Sequence, residues 1–253
     1  MLSAQPKCNK RGCPKLEIPC VIKDVTDFAP VICLSMAKRL KSGHILRIPL
    51  WHGWGFAYAK YLNVIGVAGN QSYPDIVKIF DCRSPTDEAI DLAKLHTYLM
   101  QPILFAGRLP TMRQSPWSIV GALPLLPEDS ELPDLRVPES TIADRMIIYQ
   151  QPRTGATLYT KNLDLRPQFE TSIRNVEHLG FLSARGSGLI EISATMSFML
   201  QEGTHPGDYF DLTDPRDKYE YQLVKSRPLA NRISPHLYGR ACQPGDPTYV
   251  PLQ

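Results

Sequence analysis

Between Ser42 and Ala68 the chain reads SGHILRIPLWHGWGFAYAKYLNVIGVA. In HILRIPL, Ile45, Arg47 and Pro49 alternate with Leu46, Ile48 and Leu50. This is the period-two pattern of a strand with one apolar face. FAYAKYL repeats the pattern, with Phe56, Tyr58 and Lys60 on one side, and NVIGVAG reads as a third strand. Between the first two lies WHGWG, where Gly53 and Gly55 can take the positive φ that a chain reversal needs. The stretch reads as an antiparallel meander with an aromatic turn, and this limits the chain to folds that contain such a sheet.

The residues that follow extend the same reading. DIVKIFDC is a fourth strand, with Ile76, Lys78 and Phe80 on one face and Val77, Ile79 and Asp81 on the other. Thr86, followed by Asp87 and Glu88, has the character of a helix N-cap. The apolar positions Ile90, Ala93, Leu95, Tyr98 and Leu99 then predict a helix ending before Pro102. ILFAG and WSIVGALPL read as two more strands. From Leu126 to Pro138, prolines and acids suggest a linker. The chain holds 23 prolines, which favours short strands and irregular connections over long helices.

The C-terminal part predicts a hairpin of RMIIYQQ and TLYTKNL around residues 152–155. A helix is predicted over QFETSIRNVEHLGFL, where Phe169, Ile173, Val176 and Leu179 fall near helical spacing before Gly180. GLIEISATMSFML fits a strand or a helix. The expected class is therefore α+β: a twisted, mostly antiparallel sheet, or a partly open small barrel, with one helix, followed by a second, smaller α+β region. The expected divisions are a flexible basic extension rich in Cys and Pro (1–40), a sheet domain (41–126), a Pro-rich linker (127–138), a second α+β domain (139–226) and a Pro-rich tail (227–253).

Composition narrows the function classes only a little. A net charge of +3 is small, and its excess sits in the first residues, so a nucleic-acid partner is not expected on charge alone. Cys8, Cys13 and Cys20 lack the tight CxxC pairs of a zinc site, and no metal or cofactor is expected. No apolar run is long enough to span a bilayer, so no membrane partner is expected either. The motifs GxSxG, HExxH, GxxxxGK[ST] and GxGxxG are all absent, and no catalytic residue is assigned. Asp208, Asp211, Asp214 and Asp217 recur at a spacing that does not fit a calcium loop, and Asp214-Pro215 reads as a turn or a helix start. Arg185-Gly186-Ser187-Gly188 could hold an anion on backbone N–H groups, or be an ordinary loop. The candidate contact residues are Trp51, His52, Trp54 and Tyr58, since aromatics beside glycines offer large contact area at low entropic cost.

SGHILRIPL, GWGFAYAKYL, DIVKIFD and SPWSIVGALPLLPEDSELPDLR, taken in that order, resemble the immunity protein 26 family of bacterial polymorphic-toxin systems over about residues 41–133. The resemblance implies an α+β domain that binds and neutralises a cognate protein toxin in the cytoplasm without catalysis. Two other readings stay open: a nucleic-acid-binding protein on an SH3-like barrel, and a hydrolase or nuclease using C-terminal Asp and His residues such as Asp208, Asp211 and His205. The sequence leaves open which toxin is bound, the oligomeric state and the role of residues 139–253.

Overall fold

The computed structural model describes residues 40–68, 74–107, 115–138, 153–164 and 167–252. The chain divides into two units, Met1–Met36 and Ala37–Gln253, and all of these residues belong to the second. The regions expected as 41–126 and 139–226 both fall within that unit. The early cysteines and the RMIIYQQ arm lie outside the described residues. No described helix is long and apolar enough to cross a membrane.

The architecture is α+β, with two open antiparallel sheets. Strands β1 (His44–Pro49), β2 (Phe56–Leu62), β3 (Asp75–Ser84), β4 (Ile103–Phe105) and β5 (Ser118–Ala122) form one sheet in the order β4-β3-β2-β1-β5. Strands β6 (Leu135–Arg136), β7 (Ala156–Thr160) and β8 (Gln168–Ser172) form the other, in that order. The helices are the short α1 (Val64–Ala68), α2 (Ser187–Gln201) and α3 (Pro215–Lys225).

The alternation in the first three strands sorts residues onto two faces. The register pairs Ile45 with Lys60, Arg47 with Tyr58, and Lys60 with Lys78. The other face carries Leu46, Ile48, Ala57, Ala59, Val77 and Ile79, which pack on Ile190, Ala194 and Phe198 of α2. Both faces are covered, so Ile45 and Tyr58 are as buried as Leu46 and Ile48.

Helix α2 resolves the open reading of GLIEISATMSFML. Its residues from Ile190 to Met199 are buried all round, as in a helix that runs through a core. Its hydroxyls are satisfied one turn back: Thr195 Oγ1 donates to Glu191 O at 2.7 Å, and Ser197 Oγ to Ser193 O at 2.8 Å. In α3, Asp214 accepts from the N–H groups of Arg216 and Asp217, and Pro215 follows at the first helical position. Part of the aspartate series is thus a helix cap.

Several predicted elements take other forms. NVIGVAG is not a strand: Asn63 Oδ1 accepts from Gly66 N at 2.8 Å and starts α1. The helix predicted up to Leu99 is absent apart from a 3-10 turn at Leu92–Lys94. Its backbone groups go to the edge of β3 instead, where Asp81 N donates to Thr97 O at 2.8 Å and Leu99 N to Ile79 O at 2.9 Å. Because β4 is short, this segment covers the rest of that edge. QFETSIRNVEHLGFL begins as strand β8, paired along its length with β7, and continues in a 3-10 turn at Ile173–Asn175. Its apolar spacing serves a small core of Tyr159, Phe169, Val176, Leu179 and Ala241.

The Pro-rich segments are packed. Within 127–138, Asp129, Asp134, Leu135 and Val137 are buried. In the tail, Leu229, Leu237 and Cys242 are buried, and the Asn175 side chain bonds both the N–H and the C=O of Val250.

Asp129 is 1% exposed and accepts from Lys60 Nζ and, at 2.8 Å, from Lys78 Nζ; both lysines are buried on one sheet face. Burial alone would raise its pKa. The Leu126 N–H and the two ammonium groups outweigh that and hold the carboxyl below its usual range. Its stabilisation is therefore complete above about pH 4 and is lost as pH falls below that. Asp129→Asn should destabilise the protein by about 3–5 kcal/mol at neutral pH, since it leaves two buried ammoniums without their anion. In urea titrations, the gap from wild type should narrow at about pH 3.

Candidate binding surface

The turn between β1 and β2 closes with Leu50 N donating to Gly55 O at 2.8 Å and Trp54 N to Trp51 O at 3.2 Å. Gly55 has φ of +86°, and a Cβ there would lie 2.1 Å from Ser84 O, so only glycine fits. His52 is held at φ of +56°, a left-handed conformation that non-glycine residues seldom adopt.

The turn is docked on residues far along the chain. Trp51 N donates to Thr195 Oγ1 at 2.9 Å, and Trp51 Nε1 to Glu191 Oε2 at 3.3 Å. Glu191 Oε1 accepts from Trp117 Nε1 at 2.7 Å. One buried carboxylate on α2 thus receives an indole N–H from each of two tryptophans. Trp51 and Trp54 also pack against the cluster of Ile192, Met196, Met199, Phe210 and Val224.

An aromatic surface results. His52 meets Phe210 edge-on at 4.5 Å between ring centroids, and Trp54 meets Tyr209 edge-on at 5.9 Å. Arg216 lies over Trp51 at 5.5 Å and Arg83 over Trp54 at 5.0 Å, contacts that suit a guanidinium on an indole face. Each arginine is also paired: Arg83 with Glu202 at 2.8 Å and Arg216 with Asp217 at 2.8 Å. Its exposed members include His52, Gly53 and Tyr209, the last 46% exposed, with Arg216 and Glu202 beside them.

Of the four residues read from the sequence as contacts, the structure brings three to this surface. His52 is exposed, and Trp51 and Trp54 are partly buried beneath it. Tyr58 is not part of it. Its side chain is fully buried with Ile45, Phe80 and Leu95, because Tyr58 alternates onto the face of the sheet covered by residues 90–98. Sequence reasoning missed Tyr209, Phe210, Arg83, Arg216 and Glu191. The adjacent aromatic pair Tyr209-Phe210 is the one local signal for this part of the surface, and the aspartates around it mask it.

The residues of the hydrolase reading are engaged in local structure. His205 Nδ1 accepts from Gly207 N at 3.0 Å, and its Nε2 meets Tyr221 Oη at 3.1 Å. Asp211 Oδ1 accepts from Thr213 N at 2.9 Å and from Thr213 Oγ1 at 2.6 Å. Among the described residues, no group of three or more His, Cys, Asp or Glu side chains is arranged to hold a metal ion.

Glu191→Gln should cost about 1–3 kcal/mol, because an amide sets a donor against one of the two buried indole N–H groups. Denaturant unfolding followed by tryptophan emission measures this. An unchanged midpoint would show that the shared carboxylate does not hold the turn.

No curated protein and no solved structure matches the chain. Residues 41–141, which include the first sheet and the turn, match the family model described as Immunity protein 26, the family that the strand motifs resemble.

Proposed function

We propose that the protein is an immunity-type binding protein that neutralises a cognate protein toxin in the cytoplasm by direct contact, with no catalysis of its own. The family match over residues 41–141 carries this reading. The surface around His52 and Tyr209 is where we place the contact. Its aromatic rings are held rigid by the residues beneath them, so little entropy is lost on binding. Its paired arginines and acids give the polar rim common to protein interfaces.

Trp54 and Trp51 support this surface from below. Trp54→Ala would remove packing from two core clusters and so would weaken the fold as well as the contact. The exposed residues make the cleaner test. Tyr209→Ser and His52→Asn, the latter chosen because Asn tolerates positive φ, each lose one edge-on ring contact and should cost about 0.5–1.5 kcal/mol, leaving the fold intact. Together they should weaken binding to the cognate toxin at least tenfold, and abolish growth rescue when the two are co-expressed. Full rescue and undiminished affinity in the double variant would remove the contact from this surface. Failure of the wild-type protein to rescue growth would remove the immunity reading itself.

A further inference from the structure

A cavity of about 270 Å³ lies between α2, α3 and the segments around Met100–Ile103 and Gly180–Arg185. Much of its wall is aliphatic, including Met100, Ile103, Leu189, Leu223 and Leu229. Its charged groups are Arg185, Glu220 and Arg227. Arg185 begins the Arg185-Gly186-Ser187-Gly188 run that the sequence marks as a possible anion holder.

The charges do not balance. Arg185 Nη2 donates to the buried Glu220 carboxylate, which also accepts from Ser193 Oγ at 2.5 Å. This ion pair is made, although Arg185 Nε is buried without an acceptor. His178, also on the wall, is held below its usual pKa by burial and is neutral at pH 7. The Arg227 side chain makes no ion pair and no hydrogen bond among the described residues; the residue is half-buried, and its Nη2 is sealed from solvent without an acceptor. Its guanidinium lies 4.1 Å from the centroid of Phe181, whose ring also has Arg136 at 4.5 Å. Burial, with the Arg136 and Arg185 charges beside it, pushes the Arg227 guanidinium down to about 9. A guanidinium nitrogen sealed from water without an acceptor is costly, and a bound anion would offset that cost. Arginine presents a planar fork of donors that fits a carboxylate on two N–H groups.

We propose that this cavity is a binding site for a small organic monocarboxylate, with its apolar body against the aliphatic wall and its carboxylate on Arg227. The site is separate from the aromatic turn and does not rest on the immunity reading. Its lining, apolar with a few polar groups, is that of a small-molecule pocket, and its volume lies just under the usual range and suits a small ligand.

The test uses calorimetry and thermal unfolding of the full chain with two acids, hexanoate and benzoate, and their neutral counterparts, hexanamide and benzamide. At least one acid should bind saturably at one site and raise the unfolding temperature, with its amide at least tenfold weaker. Arg227→Met should weaken that acid at least tenfold, and without ligand it should melt no lower than wild type. The proposal is overturned if neither acid binds, if acid and amide bind wild type equally, or if Arg227→Met binds the acid unchanged. Should Arg227→Met fail to fold, the comparison of acid with amide on wild type decides alone.

Discussion

Two lysines on neighbouring strands stand directly opposite each other on a buried sheet face, and a single aspartate from elsewhere in the chain makes this possible. Lys60 on β2 and Lys78 on β3 are register partners. Like charges so placed repel, and more strongly when water is removed. Asp129 answers both, and Lys60 also donates to Pro124 O at 2.8 Å. The phenyl rings of Tyr98 and Tyr238, stacked at 4.5 Å, complete the cover over Lys78. The sheet, the proline-rich turn at 124–129, the edge segment near Tyr98 and the C-terminal tail therefore meet at one charge. A segment with a linker's composition is fixed because it carries the counter-ion.

This arrangement also explains what the sequence could show. Alternation in residues 44–50, 56–62 and 75–81 gave the strands and their faces, because a covered sheet imposes its period directly. It could not show that both faces are covered, and so Tyr58 was read as a contact when it is core. The apolar spacing from Ile90 to Leu99 matched a helix by chance of composition. Its backbone had an unfilled strand edge available, and tertiary pairing outweighed local preference. The run from Gln168 misled in the same way, since Phe169, Val176 and Leu179 reach one small core from a strand and a turn.

The candidate surface was half legible for a related reason. A turn rich in Trp, His and Gly announces itself locally. The residues that hold it do not, because Glu191, Thr195, Phe210 and Arg216 lie more than a hundred positions away. Arg227 had no local signal at all. A single arginine before Pro228 looks like any surface charge until the fold seals one of its nitrogens.

The carboxylate shared by Trp51 and Trp117 has a further consequence, for synthesis. The turn that bears Trp51 and the strand that follows Trp117 are finished by Ala122, yet the helix that covers their sheet and supplies Glu191 begins at Ser187. On the ribosome the apolar sheet face must wait several seconds for its cover at ordinary elongation rates. During that interval the nascent chain displays three tryptophans and an unfinished core, the state in which holding by a chaperone matters most.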